Sequence, residues 1–419
     1  MILYLVEWWE QTFGPFSGSN LFQYITFRAG LAIILSLIIS MLFGGRIINL
    51  LRSLQVGEEI RDLGLQGQQS KAGTPTMGGI IIVMAILIPC WLMARLDNVY
   101  IVIMLVATSW MTIIGFIDDY IKVFLKNKQG LHGRFKIMGQ VGLGLFIAMM
   151  MLTSEQVVVR LPVEEAQAIG LSLEKDMVGE IVPVIENEEI VGYKGDFKTL
   201  LTNVPFLKGN RLDYERIIPL GQQLAWIIFV PLVILVITAV SNAANLTDGL
   251  DGLATGVSGI VGITLAVFAY VSGNSIAANY LNILHLPGSG ELVIYAACFL
   301  GACLGFLWYN AYPAQVFMGD TGSLTLGGVI GALAILLRKE LLIPILCGIF
   351  LVENLSVMLQ VGYFKYTKRK YGEGKRIFLM SPLHHHYQKK GMPETKIVAR
   401  FWIVGILLAV ATILTLKIR

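Results

Sequence analysis

The chain has 419 residues, of which 55% are hydrophobic and only 14% charged, with a mean hydropathy of +0.70. A water-soluble protein of this length carries about a quarter charged residues, so that class is excluded. The formal net charge of +4 is small and its placement says more than its size; no nucleic-acid partner is expected, and the lipid bilayer is.

The start, MILYLVEWWEQTFG, lacks a basic segment and is interrupted by Glu7 and Glu10, so no cleavable signal peptide is expected. Apolar blocks then predict ten spans, at roughly 21–43, 77–95, 99–117, 138–152, 223–241, 252–272, 291–309, 323–338, 341–363 and 397–415. The fold class expected is an all-α polytopic membrane protein of about ten transmembrane helices. Basic residues set its orientation. Arg46, Arg52, Arg61 and Lys71, then Lys122, Lys126, Lys128, Arg134 and Lys136, share a side with ten more between Lys365 and Arg400, nineteen of the 32 in all. The short loops opposite hold Arg95, Arg338 and Lys339, so the basic side is taken as cytoplasmic and both termini as outside. Residues 1–152 and 221–419 are read as one catalytic membrane domain around an extracytoplasmic insertion at 153–220. Alternation in SEQVVVRLPVEE and GEIVPVIENEEIVGYKGDF predicts short β-strands within it. The cysteines Cys90, Cys298, Cys303 and Cys347 lie in apolar blocks without metal spacing and are read as packing residues.

Polar residues cluster at the cytoplasmic ends of the spans, where carboxylates are costly and are kept for function or paired. Asp118 and Asp119 close the third span; adjacent on a helix, they point about 100° apart, and either cap the helix or hold metal, water or a basic neighbour. Asn242, Asn245, Asp248 and Asp251 follow the fifth span, and the two aspartates share a face if the segment is helical. With Gly249 and Gly252 this stretch suits a sugar or nucleobase. Asn310 and Asp320 follow the seventh span; GDTGSL lacks a Walker lysine, but Asp320 opens a helix whose N–H groups suit a phosphate. Mg²⁺ prefers oxygen ligands, with Asp320 the first choice. His384, His385 and His386 are either donors to a diphosphate or a solvated loop. Lys71 in KAGTPTMGG, with Lys122 and Lys126, either binds phosphate or anchors the chain at the membrane.

Taken together, KAGTPTMGG, GFIDDYIKV, SNAANLTDGLDGLA, WYNAYPAQVFMGDTGSL and SPLHHHYQKKG resemble phospho-N-acetylmuramoyl-pentapeptide transferase (translocase I), of the polyprenyl-phosphate N-acetylhexosamine-1-phosphate transferase superfamily. The resemblance runs from the second span to the last loop, and the HHH run points to the muramoyl-pentapeptide branch. It implies ten helices with a cytoplasmic cleft in a bacterial inner membrane, and is compatible with a homodimer. It also implies the reaction: UDP-MurNAc-pentapeptide plus undecaprenyl phosphate gives lipid I and UMP, with Mg²⁺. Lys71, Asp118, Asp119, Asn245, Asp248, Asp320 and His384 to His386 fall on the family's catalytic and metal positions, with Asp118, Asp119 and Asp320 as the metal set. Gly249, Leu250, Asp251, Phe317 and Gln360 fall where the family contacts the nucleoside, and Thr76, Asn242, Asn310, Lys122 and Lys126 join them as substrate-binding positions. The 153–220 segment is longer than the family's usual outer loop.

In the reaction so implied, a lipid phosphate oxygen attacks the sugar-proximal phosphorus and UMP leaves. A phosphate monoester is mostly dianionic at pH 7, its second pKa being about 6, which weakens the demand for a carboxylate base. A two-step route through a phospho-aspartate is the alternative mechanism. The rival functions are a sister transferase using UDP-GlcNAc, a secondary transporter, which predicts polar groups near the bilayer midplane, and a catalytically dead membrane scaffold on the same fold.

Overall fold

The computed structural model describes residues 1–54, 71, 73–186, 189–205, 210–217 and 224–417. Arg61, Ala72, residues 187–188 within the segment expected to carry strands, and residue 223 lie outside the described residues. The long helices are α2 (Ile25–Ser53), α3 (Gly79–Met93), α4 (Val99–Val123), α5 (Gly133–Thr153), α8 (Trp226–Thr247), α9 (Leu253–Gly273), α11 (Leu292–Asn310), α12 (Gly319–Leu336), α14 (Gly348–Tyr371) and α16 (Glu394–Leu414). Shorter ones are α1 (Ile2–Phe13), α6 (Val163–Ala168), α7 (Tyr214–Ile217), α10 (Ser275–Leu281), α13 (Ile343–Leu346) and α15 (Leu383–Lys389).

Among the described residues, eight helices are long and apolar enough to cross a membrane, or nine with the bent pair Glu340–Leu346 and Gly348–Tyr371, whose halves meet at 77°, counted as one broken crossing. The chain is an all-α polytopic membrane protein. The remaining expected span, at 77–95, is the apolar helix α3, which at 15 residues falls short of the roughly 20 that a full crossing takes. The helix α1 was not expected; its amino terminus donates to the Trp91 and Leu92 carbonyls, tying it to the end of α3.

Burial grades from the rim to the centre. In α2 and α16 only 28% of the spanning window is buried, whereas in α12 it is 94%. The sequence of α12, GDTGSLTLGGVIGALAIL, explains its central place, because small residues let neighbouring backbones come close. On α4, Gly115 is one such contact: a Cβ there would stand 2.3 Å from the Asp320 carbonyl oxygen. Buried hydroxyls link the layers as well, Ser36 of α2 donating within reach of the Ala85 and Cys298 carbonyls at 2.6 and 2.8 Å. The four cysteines are free and buried, as packing residues should be.

The 153–220 segment carries its strands as the alternation indicates. β1 (Val159–Pro162), β2 (Met177–Glu186) and β3 (Glu189–Phe197) form an antiparallel sheet of order β1-β3-β2, and β4 (Leu201–Asn203) pairs β5 (Arg211–Asp213). Val159, Leu161, Ala166, Leu171, Phe197 and Leu201 enclose a small core of their own with Leu284 and Leu286 from the α10–α11 connection. The segment is also bolted to the head of the broken span. The Arg338 carbonyl accepts from Asn203 N and Thr202 Oγ1, Lys339 donates to Asn203 Oδ1, and Tyr214 donates to Glu340 at 2.8 Å. Arg338 and Lys339, read from sequence as surface cations of a short loop, are therefore buried, because the segment covers them.

Candidate active site

Away from the 153–220 segment, the C-terminal ends of α4, α8 and α11 meet the N-terminal ends of α5, α9, α12 and α16. Asp118, Asp119 and Asp320 converge there, all buried, with ligand oxygens within 4.8 Å of one another. Adjacency on α4 sends the first two in different directions. Asp118 meets cations: its carboxylate lies 2.5 Å from Lys122 Nζ and 2.9 Å from Lys136 Nζ, and accepts from Leu131 N at 2.7 Å. Asp119 instead caps α12, accepting from Asp320 N at 3.0 Å, Thr321 N at 2.8 Å and Thr321 Oγ1 at 2.5 Å. The N–H groups that sequence offered to a phosphate are thus taken by a carboxylate. The close α4–α12 approach at Gly115 is the reason, and a negative group at a helix N-terminus is favourable.

Asp320 completes the cluster. It accepts from Lys122 at 3.2 Å, from Lys136 at 2.5 Å and from Asn245 Nδ2 at 3.1 Å, and Asn245 also donates to Ser323 Oγ at 2.8 Å. Each lysine therefore bridges Asp118 and Asp320, so two ammonium groups face three carboxylates. Lys126 does not join them; it sits in the exposed loop beyond α4 with φ of 51°. Asn242 is occupied with Gln140 and the Thr238 carbonyl.

A second group forms around Lys71. Its ammonium lies 2.7 Å from Asp251 and 2.6 Å from Glu394. Burial alone would lower its pKa, but Glu394 and Asp251 outweigh that and hold it above the ordinary lysine value. Glu394 Oε1 also accepts from Asp251 N at 2.7 Å, and Asp251 Oδ2 from Ala314 N at 3.0 Å. Asp248 and Asp251 do not share a helical face: α8 ends at Thr247 and a turn leads to α9, with Gly252 at φ 77°. The glycines that make this stretch suitable for a ligand also stop the helix. Leu250 is buried beneath the turn and Gly249 is exposed on it.

Several expected contact residues are holding the frame. Asn310 Oδ1 accepts from Gly252 N and Thr255 Oγ1, both at 3.1 Å, and its Nδ2 donates to the Val316 carbonyl. Phe317 exchanges main-chain hydrogen bonds with Pro75 and Gly78, which joins KAGTPTMGG, with Thr76 buried, to the start of α12. Gln360 accepts from Ile377 N and Phe378 N, both at 3.0 Å, fixing the loop before the histidines.

The three histidines have three environments. His384 is fully buried, its main-chain N–H donating to Glu353 at 3.1 Å. For His385, burial and the neighbouring His384 lower the pKa to about 4, so it is neutral near pH 7. Partly exposed His386 accepts from Leu379 N on Nδ1. Sequence reasoning missed Lys136, Glu353 and Glu394 as site residues. Glu353 was legible as a lone carboxylate in the apolar run FLVENLSVMLQV. Lys136 and Glu394 gave no local signal, since charges at span ends are ordinary.

A helical membrane bundle with paired carboxylates and lysines at one end, matching the glycosyl transferase family 4 model over residues 191–338, defines a membrane-embedded phosphosugar transferase. Residues 71–83 match the phospho-N-acetylmuramoyl-pentapeptide-transferase signature 1. Curated proteins of that name are 55% identical in Parabacteroides distasonis, 55% in Flavobacterium psychrophilum and 52% in Porphyromonas gingivalis, each alignment covering the whole of both chains. The chain belongs to the phospho-N-acetylmuramoyl-pentapeptide-transferase family.

Proposed function

We propose that this protein moves phospho-MurNAc-pentapeptide from UDP-MurNAc-pentapeptide to undecaprenyl phosphate, releasing UMP and leaving lipid I. The observation that carries the reading is the meeting of Asp118 and Asp320 across Lys122 and Lys136, in a chain of this family. In this reading the site faces the cytoplasm of a bacterial inner membrane, as the placement of Lys and Arg indicates, and 153–220 is exported.

The residues fit Mg²⁺, a hard cation that takes oxygen ligands from one or two carboxylates and from phosphates. Asp118 and Asp320 are the carboxylates to hold it, since Asp119 spends its oxygens on α12. When bound, the ion neutralises charge on the donor's diphosphate. Lys122 and Lys136 stand where they can turn from carboxylate to phosphate oxygens and stabilise charge as UMP leaves. The dianionic lipid phosphate attacks the sugar-proximal phosphorus directly. Asp119 serves this step by fixing the start of α12, and hence Asp320, against α4.

UMP release by the purified protein with polyprenyl phosphate and Mg²⁺ tests the assignment. Turnover is expected with UDP-MurNAc-pentapeptide and not with UDP-GlcNAc, and is lost with EDTA and in Asp320→Asn. Turnover with UDP-GlcNAc alone would transfer the protein to the sister branch.

A further inference from the structure

Glu353 is a buried acid of the site region that the mechanism above leaves unused. It lies on α14 within the broken crossing and is fully buried, an expensive setting for a carboxylate at membrane depth. Both its oxygens turn to His384. The His384 main-chain N–H lies 3.1 Å from Oε1 and 3.4 Å from Oε2, and ring Nδ1 lies 3.1 Å from Oε2, off the line of a well-aligned hydrogen bond. One side chain thereby holds the first turn of α15 by its backbone and the imidazole by its Nδ1 edge.

The other edge of the ring meets the α8–α9 turn. A Cβ at Gly249 would fall 2.3 Å from His384 Nε2, so only glycine leaves room for the ring there. That nitrogen is buried and has no hydrogen-bond partner among the described residues. Buried polar atoms are almost always partnered, so an orphan on the wall of a reaction site marks a place where a substrate atom is met. The His385 ring packs against the imidazole, its centroid 4.2 Å from that of His384 at an interplanar angle of 62°.

We propose that Glu353 is a positioning residue for the transfer, holding His384 by main chain and ring so that Nε2 is presented at the α8–α9 turn as an acceptor for a hydroxyl or N–H of the donor's sugar or nucleobase. The inference rests on the transferase reading. A carboxylate at Nδ1 sets which ring nitrogen carries the proton, as it does for histidines that bind metals, where loss of the partner typically costs about 10–100-fold in activity.

The test uses the full chain in lipid nanodiscs, with Glu353→Gln, Glu353→Asp, His384→Gln and the Glu353→Gln/His384→Gln double variant. Glu353→Gln keeps the volume and one acceptor for the His384 N–H. It is expected to lower kcat for UMP release by about 10–100-fold with the donor KM moved less than about threefold, and Glu353→Asp to recover part of the loss. If Glu353 acts through His384, the double variant is no slower than His384→Gln alone. Multiplying losses, or wild-type turnover in Glu353→Gln, would overturn the proposal. Tautomer state, read by NMR on ¹⁵N-histidine-labelled protein with the His384 signal identified from His384→Gln, does not need turnover. Protonation at Nδ1 in the parent protein that is lost in Glu353→Gln supports positioning, and an unchanged tautomer refutes it. A parent protein without UMP release would defeat the transferase reading while the tautomer measurement still decided the role of Glu353.

Discussion

Gly115→Ala is the substitution that most directly probes how the carboxylates are held. The added Cβ would lie 2.3 Å from the Asp320 carbonyl oxygen and 2.6 Å from Thr321 Cα, whereas ordinary contact begins at 3.4 Å. Both atoms belong to the backbone of the most buried helix, so no flexible side chain can yield, and α4 must move away from α12 by about 1 Å. The hydrogen bonds from Asp320 N and Thr321 N to Asp119, at 3.0 and 2.8 Å, would then exceed the usual limit of about 3.2 Å. Overpacking of this kind costs about 1–3 kcal/mol, more than the up to about 1 kcal/mol that alanine gains over glycine in a helix. A displacement of about 1 Å in reacting groups can cost about 100-fold in rate. The assay is UMP release per folded protein in nanodiscs, together with Tm. Gly362→Ala is the matched control, since a Cβ there meets nothing within 4 Å, and it should be neutral or slightly stabilising. Wild-type Tm and turnover in Gly115→Ala would refute the claim that this contact sets the geometry of the cluster.

Lys136→Met removes one of the two ammonium groups between Asp118 and Asp320 and should lower turnover at least about 100-fold while the protein remains folded, as checked by size-exclusion profile. Asn203→Ala takes the side-chain acceptor from buried Lys339 and should destabilise the protein by about 1–3 kcal/mol, read as a lower Tm. Burial pushes the Lys339 pKa down to about 7, so the unfolded chain binds more protons between that value and the ordinary 10.5. Stability contributed at this residue should therefore rise as pH rises from about 7 toward 10, and that part of the Tm–pH slope should vanish in Lys339→Met. Glu394→Gln weakens the grip on Lys71 while keeping an acceptor for Asp251 N; a fall in the Lys71 pKa, followed by the pH dependence of amine labelling, is the expected result.

The bolting of the 153–220 segment to Arg338, Lys339 and Glu340 bears on more than local stability. Glu340 begins the broken crossing whose second half carries Glu353 and Gln360, and Arg338 and Lys339 immediately precede it. Both of those side chains hold the loop and turn that bear the histidines. The segment thus steadies, from the far end, the element that positions part of the site.

Sequence alone determined the membrane class, the apolar crossings to within about ten residues at their ends, the presence of strands in the 153–220 segment, and Asp118, Asp119 and Asp320 as candidate carboxylates. These rest on local quantities: runs of apolar residues, alternation of period two, and carboxylates placed where lipid makes them costly. Tertiary structure alone decided which charge meets which. Asp119 turned out to cap α12 because Gly115 lets two backbones touch, and Lys71 lies between Asp251 and Glu394, residues 180 and 323 positions away. Arg338 and Lys339 are buried because a distant segment folds over them. Asp248 and Asp251 parted because α8 ends at Thr247, so both fall in the turn that Gly252, with its left-handed φ, leads into α9. Spacing reports neighbours within one helix, and it carries no record of which helix end a long side chain will meet once ten or so helices pack.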